Sequence, residues 1–325
     1  MHCGTSKEGI VRRLVGVVAV AAFVCLSAVA SAAVDIEVVV DYDSAVGEHP
    51  EGLAVDKRGD VFVTITPLGQ IRKYGSDGSE LLRVQLVPPG SGLGLAGLAV
   101  DAPGNLYVAA ITSTPATQGV YKVARDGSFS RLPGTGAIEF PNGITLDKRG
   151  NVYVTDTARG AVWRVPAAGG PAAVWYESPL LQGTGAFEFG VPLGANGIAY
   201  RHDEIVVGNT ERARLVRIAI EPDGSAGAVS VLAEAPQLLG IDGLAFDVHG
   251  NLWAAVIAQS TIVRVSPSGG ITTVATAADG LDWASSIAFG KNGALWAVNY
   301  AIGPPGGPGP ALLRLDVGVK GQPVP

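Results

Sequence analysis

Two cysteines and four histidines are all that 325 residues contain of the usual soft metal ligands. That scarcity excludes most zinc, haem and iron–sulfur sites. Charge is also sparse, at 16% of residues, and its balance is −6. An acidic chain of this kind is no non-specific nucleic-acid binder. There is no Gly-x-Ser-x-Gly elbow and no HExxH helix. No long 3.6-residue apolar period argues for a helical solenoid, and no glycine triplet period argues for collagen. What the chain does have is a 47% hydrophobic share, 45 glycines and 21 prolines. The apolar share rules out intrinsic disorder. Many turn formers between Val-, Ile- and Leu-rich runs predict an all-β protein.

The first residues read as a targeting segment. Lys7, Arg12 and Arg13 precede an apolar run from Leu14 to Ala30, and Ala30-Ser31-Ala32 is a small-residue cleavage site. The expected organisation is a signal peptide over 1–32 and one domain over 33–325. The Arg12-Arg13 pair fits twin-arginine export poorly. Cys25 follows Val24 rather than a small residue, which disfavours a lipid anchor. Cleavage removes Cys3 and Cys25 together, so the mature chain has no thiol. It also shifts the net charge to −8. The location expected is secreted or periplasmic, with no membrane association after cleavage.

One pattern recurs six times: a small apolar strand, a tight turn and a second strand. The copies begin at Gly52, Gly97, Gly143, Gly197, Gly243 and Ser286, with spacings of 45, 46, 54, 46 and 43. In four copies Asp opens the turn and Gly closes it, as at Asp147 and Gly150. Four short strands per copy match a propeller blade. The fold predicted is therefore a six-bladed β-propeller, closed by a strand near Ile36–Tyr42 that completes the last blade. Closure removes edges that would otherwise invite aggregation.

Equivalent positions in six blades lie on a circle. The residue before each aligned Gly or Ser is Glu51, Ala96, Asn142, Asn196, Asp242 and Ser285. Two carboxylates and two carboxamides thus present hard oxygens from four blades. That donor set suits Ca²⁺, with Mg²⁺, Mn²⁺ or Zn²⁺ as other divalent ions; zinc prefers His or Cys. The competing reading is that Asn-Gly, Asp-Gly and Glu-Gly are ordinary turn pairs.

The phrases His49-Pro50-Glu51-Gly52, Phe140-Pro141-Asn142-Gly143, Ala195-Asn196-Gly197 and Ile241-Asp242-Gly243 resemble the senescence marker protein (regucalcin)/gluconolactonase family. Diisopropylfluorophosphatase and paraoxonase are more distant relatives. The resemblance implies a six-bladed propeller that binds a divalent ion and hydrolyses lactones or esters. It implies Glu51, Asn142, Asn196 and Asp242 as metal ligands. Two departures stand out. Some relatives carry a catalytic His where this chain has Ala96, and others carry one where it has Ala288.

The resulting expectation is an exported, metal-dependent hydrolase of a small lactone or ester. Asp242 positions or deprotonates water, or attacks directly, with Glu51 or Asp156 sharing the role. Loops after the second strands carry Thr64, Thr66, Thr112, Asp156, Asn209 and Asn299 to the ring face, and Asp156, Asn209 and Asn299 are assigned to substrate. Residues Gly190 to Ala195 lengthen one connection into a candidate lid. His49 reads as a loop histidine. His202 and His249 lie in opposite-face turns and receive no chemistry. Gly92 to Gly97 matches a dinucleotide fingerprint only by letter, since it precedes a strand. The other function classes are a non-catalytic propeller that binds a protein, peptide or glycan, and a lyase acting on a cyclic ester.

Overall fold

The computed structural model describes residue 1, residues 34–304 and residues 306–323. The segment assigned above to a signal peptide lies outside them, apart from Met1. Among the described residues twenty-four strands form six four-stranded antiparallel sheets. Blade one comprises Pro50–Val55, Val61–Ile65, Gln70–Tyr74 and Glu80–Gln85. Blade two comprises Gly92–Val100, Leu106–Thr112, Gly119–Val123 and Phe129–Arg131. Blade three runs through Pro141–Leu146, Val152–Asp156, Ala161–Val165 and Ala173–Glu177. Blade four runs through Ala195–Arg201, Glu204–Asn209, Arg214–Ile220 and Ala226–Glu234. Ile241–Phe246, Leu252–Val256, Thr261–Val265 and Ile271–Ala275 make blade five. Blade six takes Ala284–Phe289, Ala294–Asn299 and Ala311–Asp316 from the end of the chain and its outer strand, Ile36–Asp41, from the beginning. Ile36 pairs with Leu315 and Asp41 with Ala311, so the ring closes as the repeat pattern predicts.

Burial follows from this geometry. Inner strands are sandwiched between neighbouring blades and read as continuous apolar runs, such as the wholly buried Val61–Ile65. Outer strands face water, and Phe129–Arg131 is exposed throughout. The core is accordingly not one centre but six seams, one between each pair of blades. At the closing seam Trp296, Val298 and Leu312 of blade six pack on Leu53, Val55 and Val63 of blade one. Each fully buried aliphatic side chain contributes about 1.5–3 kcal/mol. Closure therefore rests on packing as well as on strand pairing.

The Asp-x-x-Gly turns join first to second strands on the face opposite the ring residues. Asp147 shows how they are held. Its carboxylate accepts from Arg149 N, Asn151 N and Asn151 Nδ2 at 2.9, 2.9 and 2.7 Å, and from the Tyr153 hydroxyl at 3.2 Å. On this same face the C-terminal tail crosses the channel mouth, where Gln322 N donates to Phe246 O at 2.9 Å and its Nε2 to Tyr200 O at 3.0 Å. Among the described residues no helix is long and apolar enough to cross a membrane.

Candidate metal centre and active site

All six innermost strands break register at the same place. The shifts fall between Pro50 and Leu53, Leu95 and Leu98, Pro141 and Ile144, Ala195 and Ile198, Ile241 and Leu244, and Ala284 and Ser286. A bulge bends its strand and re-aims a side chain. The residues inside the six breaks are Glu51, Ala96, Asn142, Asn196, Asp242 and Ser285. Glu51, Asn142, Asn196 and Asp242 line both the cavity on the ring face and the narrow channel beneath it. They form the floor between the two.

The glycines that follow them are close-approach positions rather than turn residues. A Cβ on Gly52 would stand 2.5 Å from the carbonyl oxygen of Ala96, and one on Gly97 2.7 Å from that of Asn142. At Gly143 and Gly197 it would collide with the carbonyls of Asn196 and Asp242. Each blade thus rests on the backbone of the next at the level of the ring. This corrects the alternative of ordinary turn pairs, because Asn142-Gly143 and Asp242-Gly243 lie within strands.

Hydroxyl groups then stitch the ring together. Thr64 Oγ1 accepts from Gly52 N at 2.7 Å and donates to Ala96 O at 2.9 Å. Thr155 Oγ1 accepts from Gly143 N at 2.8 Å and donates to Asn196 O at 2.7 Å. Thr210 Oγ1 accepts from Asn196 Nδ2 at 3.1 Å and donates to Ile241 O at 2.9 Å. Ser285 Oγ closes the circle on Glu51 O at 2.9 Å. The ring positions are therefore fixed by neighbours that are themselves fixed, which is how a preorganised site is built.

Electrostatically the floor lacks positive charge. Burial pushes the Glu51 carboxyl well above the usual range, and the neighbouring Asp242 adds to this. Burial pushes Asp242 up to about 8, with the Asn196 carboxamide pulling partly the other way. Glu51 Oε2 and Asn196 Oδ1 are buried with no hydrogen-bond partner. Buried acceptors are normally satisfied, so these oxygens fit a cation that would complete them. Among the described residues no group of three His, Cys, Asp or Glu side chains gathers anywhere. The candidate ligand set is instead two carboxylates and two carboxamides, the oxygen-only chemistry of a hard divalent ion.

Above the floor lies a cavity of about 510 Å³. The connection from blade three to blade four forms one wall, with Phe187, Phe189 and Leu193. Phe189 meets Phe140 edge-on at 6.3 Å between ring centroids. Glu211 is the post for this connection. Its carboxylate accepts from Gly185 N at 2.6 Å, Phe187 N at 3.1 Å, the Thr184 hydroxyl at 3.0 Å and also Thr184 N. Burial alone would raise its pKa, but these donors outweigh it and hold the carboxyl below the usual range.

The structure places the three expected substrate residues elsewhere. Asp156, Asn209 and Asn299 end the second strands of blades three, four and six, and all are fully buried. Asp156 accepts from Glu139 N, Phe140 N and Trp163 Nε1 at 3.0, 3.1 and 3.2 Å. Asn209 Nδ2 donates to Leu180 O and Gln182 O, both at 3.0 Å. Asn299 accepts from Asp282 N at 2.9 Å and donates to Gly280 O at 3.0 Å. Each braces the loop entering its own blade, and none lines the cavity. Asp156 is equally unavailable as a base. His49 stands behind the wall, with Nδ1 at 2.9 Å from Tyr300 O.

Sequence reasoning missed Tyr300 and Trp283, both of which line the cavity. Burial raises the Tyr300 phenol pKa, and the Glu51 and Asp242 carboxyls raise it further. It remains a protonated donor beside the floor. The signal was present in the last blade, where Tyr300 directly follows its second strand.

Residues 192–296 match the family described as SMP-30/Gluconolactonase/LRE-like region. No curated protein sequence matches the chain significantly. A gluconolactonase from Xanthomonas campestris superposes with a TM-score of 0.64 at 19% identity, over 90% of each chain. The calcium-binding protein regucalcin from Agrobacterium tumefaciens gives 0.65 at 15% identity, over 86% of this chain and 93% of that one. Virginiamycin B lyase from Staphylococcus aureus gives 0.58 at 17%, over 90% and 88%. At these identities the likeness is one of fold. From its fourth blade into its sixth, over the stretch that supplies Asn196 and Asp242 to the ring, this propeller is thus similar to the SMP-30/Gluconolactonase/LRE-like region.

Proposed function

We propose that the chain is a divalent-cation-dependent hydrolase of lactones or esters, with calcium as the cation, exported through a leader cleaved after Ala32. The observation that carries this reading is the floor: Glu51, Asn142, Asn196 and Asp242 at one channel mouth, with two of their oxygens buried and unpartnered. The family match and the gluconolactonase among the structural relatives support the lactone as the substrate class. Oxygen-only donors favour calcium over zinc.

Once bound, the cation supplies polarisation of the ester carbonyl and stabilisation of the charge that builds on its oxygen. The four floor residues hold it. Asp242 orients a water and takes its proton as the water oxygen bonds to the carbonyl carbon. Glu51, beside it, holds the second negative charge that makes the floor select a cation. The acyl carbon–oxygen bond then breaks. Tyr300 donates a proton to the departing alkoxide and recovers one from Asp242. A lactone thereby yields a hydroxy acid, and an ester yields an acid and an alcohol.

The test is turnover of lactones and aryl esters by chelator-treated protein before and after calcium is restored. Calcium should restore activity to wild type, and Asp242→Asn should abolish it. Calcium-dependent turnover in that variant would overturn the assignment. Tight calcium binding without any turnover would identify a cation-stabilised binding module instead.

A further inference from the structure

The cavity is divided by chemistry. Among the described residues its polar side chains are few: the four ring residues, Thr66, Thr210, Tyr300 and the indole N–H of Trp283. The walls rising from there are hydrocarbon and aromatic, with Leu93, Ile111, Phe187, Phe189, Trp283 and Ile302 among them. Among the described residues no Arg, Lys, His, Gln or Ser lines the space. Two rim residues, Phe189 and Ile302, leave 47% and 45% of their surface exposed, although most large apolar residues of this chain are buried.

A polyhydroxylated ring finds few side-chain partners above this floor. Each hydroxyl pressed against the walls would lose its hydrogen bonds to water without replacement. An apolar chain or ring has the opposite balance, since every methylene removed from water contributes. The volume of about 510 Å³ lies in the range of sites that enclose a whole small molecule.

We infer that the lactone or ester taken by this site carries a hydrophobic acyl chain or ring that fills the walled cavity, rather than the hydroxyl-rich ring of a sugar lactone. The floor binds the carboxyl ester end and the walls bind the body. Phe187 and Phe189 on the blade three–four connection act as specificity-determining residues, because both line the cavity and Glu211 anchors the backbone of Phe187. The inference rests on the hydrolase reading for the chemistry at the floor.

The test has two arms, both on the full chain with calcium present. One measures kcat/KM for γ-lactones with alkyl chains of increasing length, against glucono-δ-lactone. The other measures calorimetric binding of 2-alkylcyclopentanones, which have the same shape and cannot be hydrolysed. In both arms each added methylene should raise the measured constant roughly fourfold until the walls are filled. Glucono-δ-lactone should be at least about a hundredfold poorer than the best alkyl lactone. Phe187→Ala and Ile302→Asn should flatten the chain-length dependence in both arms. Ketone affinity that ignores chain length, or glucono-δ-lactone cleaved as well as the alkyl lactones, would overturn the inference. Ketones that bind with the expected slope while no lactone is cleaved would uphold it and defeat the hydrolase reading alone.

Discussion

Asp247 and Asp242 stand five residues apart, at the two ends of one innermost strand, and both are buried. Asp247 has every need met. His249 N and Asn251 N donate to it at 2.9 Å each, Asn251 Nδ2 at 2.8 Å and Trp253 Nε1 at 3.0 Å. Burial would raise its carboxyl, yet these hydrogen bonds prevail and hold it below the usual range. Asp242 has the Asn196 carboxamide on one side and the like-charged Glu51 on the other, and its carboxyl rises to about 8. Burial is therefore not what separates these two carboxylates. The supply of donors is. Where the chain satisfies an acid it builds a turn, and where it leaves two acids short lies the site proposed for the cation.

The contrast breaks most sharply under mutation. Asp242→Asn should lower lactone turnover by at least about a hundredfold and weaken calcium binding measured by calorimetry. The same variant should melt no lower than wild type in chelator, because it replaces a carboxyl whose charged form burial already disfavours. A large drop in its metal-free melting temperature would show that Asp242 is structural after all. Asp247→Ala should behave in the opposite way. It strands four donors and should lose about 3 kcal/mol of stability in urea unfolding, with calcium affinity unchanged.

Gly197→Ala tests the backbone beneath the ring. Its Cβ collides with the Asp242 carbonyl, so the ligand must shift. A loss of about 2 kcal/mol with weaker calcium binding is expected. Normal affinity would show that the ring tolerates movement. The pH dependence sharpens the comparison further. Asp247 is depressed in the folded state, so its contribution is fully present above its unfolded pKa of about 4 and fades as pH falls through the folded value. The stability gap between wild type and Asp247→Asn should narrow as pH falls below about 4 and close below the folded value. A gap that persists there would remove the ionised carboxylate from the account. The smallest effect is expected at Glu211→Gln. Weakening the post of the blade three–four connection should raise KM about threefold for long-chain lactones and leave calcium binding intact.

Much of this was legible from spacing. The Asp-x-x-Gly turns, the six copies and the strand that closes the ring follow from local turn chemistry and from a period that the chain repeats. The oxygen ring was legible too, because pseudo-symmetry converts one column of an alignment into one circle in space. The reading failed at Asp156, Asn209 and Asn299. Their position on the ring face was inferred correctly, but a side chain at a strand end can turn to the cavity or to the incoming loop. Only the loop's unpaired amides and carbonyls decide that choice. Tyr300 and Trp283 escaped for the related reason that they lie in connections, where the repeat carries no register.

The sequence by itself determined the architecture and which residues occupy the ring, since both depend on periodicity and residue type. The tertiary structure alone decided which acids are left without donors, and that the walls above them are apolar. Those properties arise where four or more blades meet, from residues up to some 250 positions apart in the chain, such as Glu51 and Tyr300. No local pattern encodes the balance of donors and acceptors at such a meeting point. It exists only once the ring is closed.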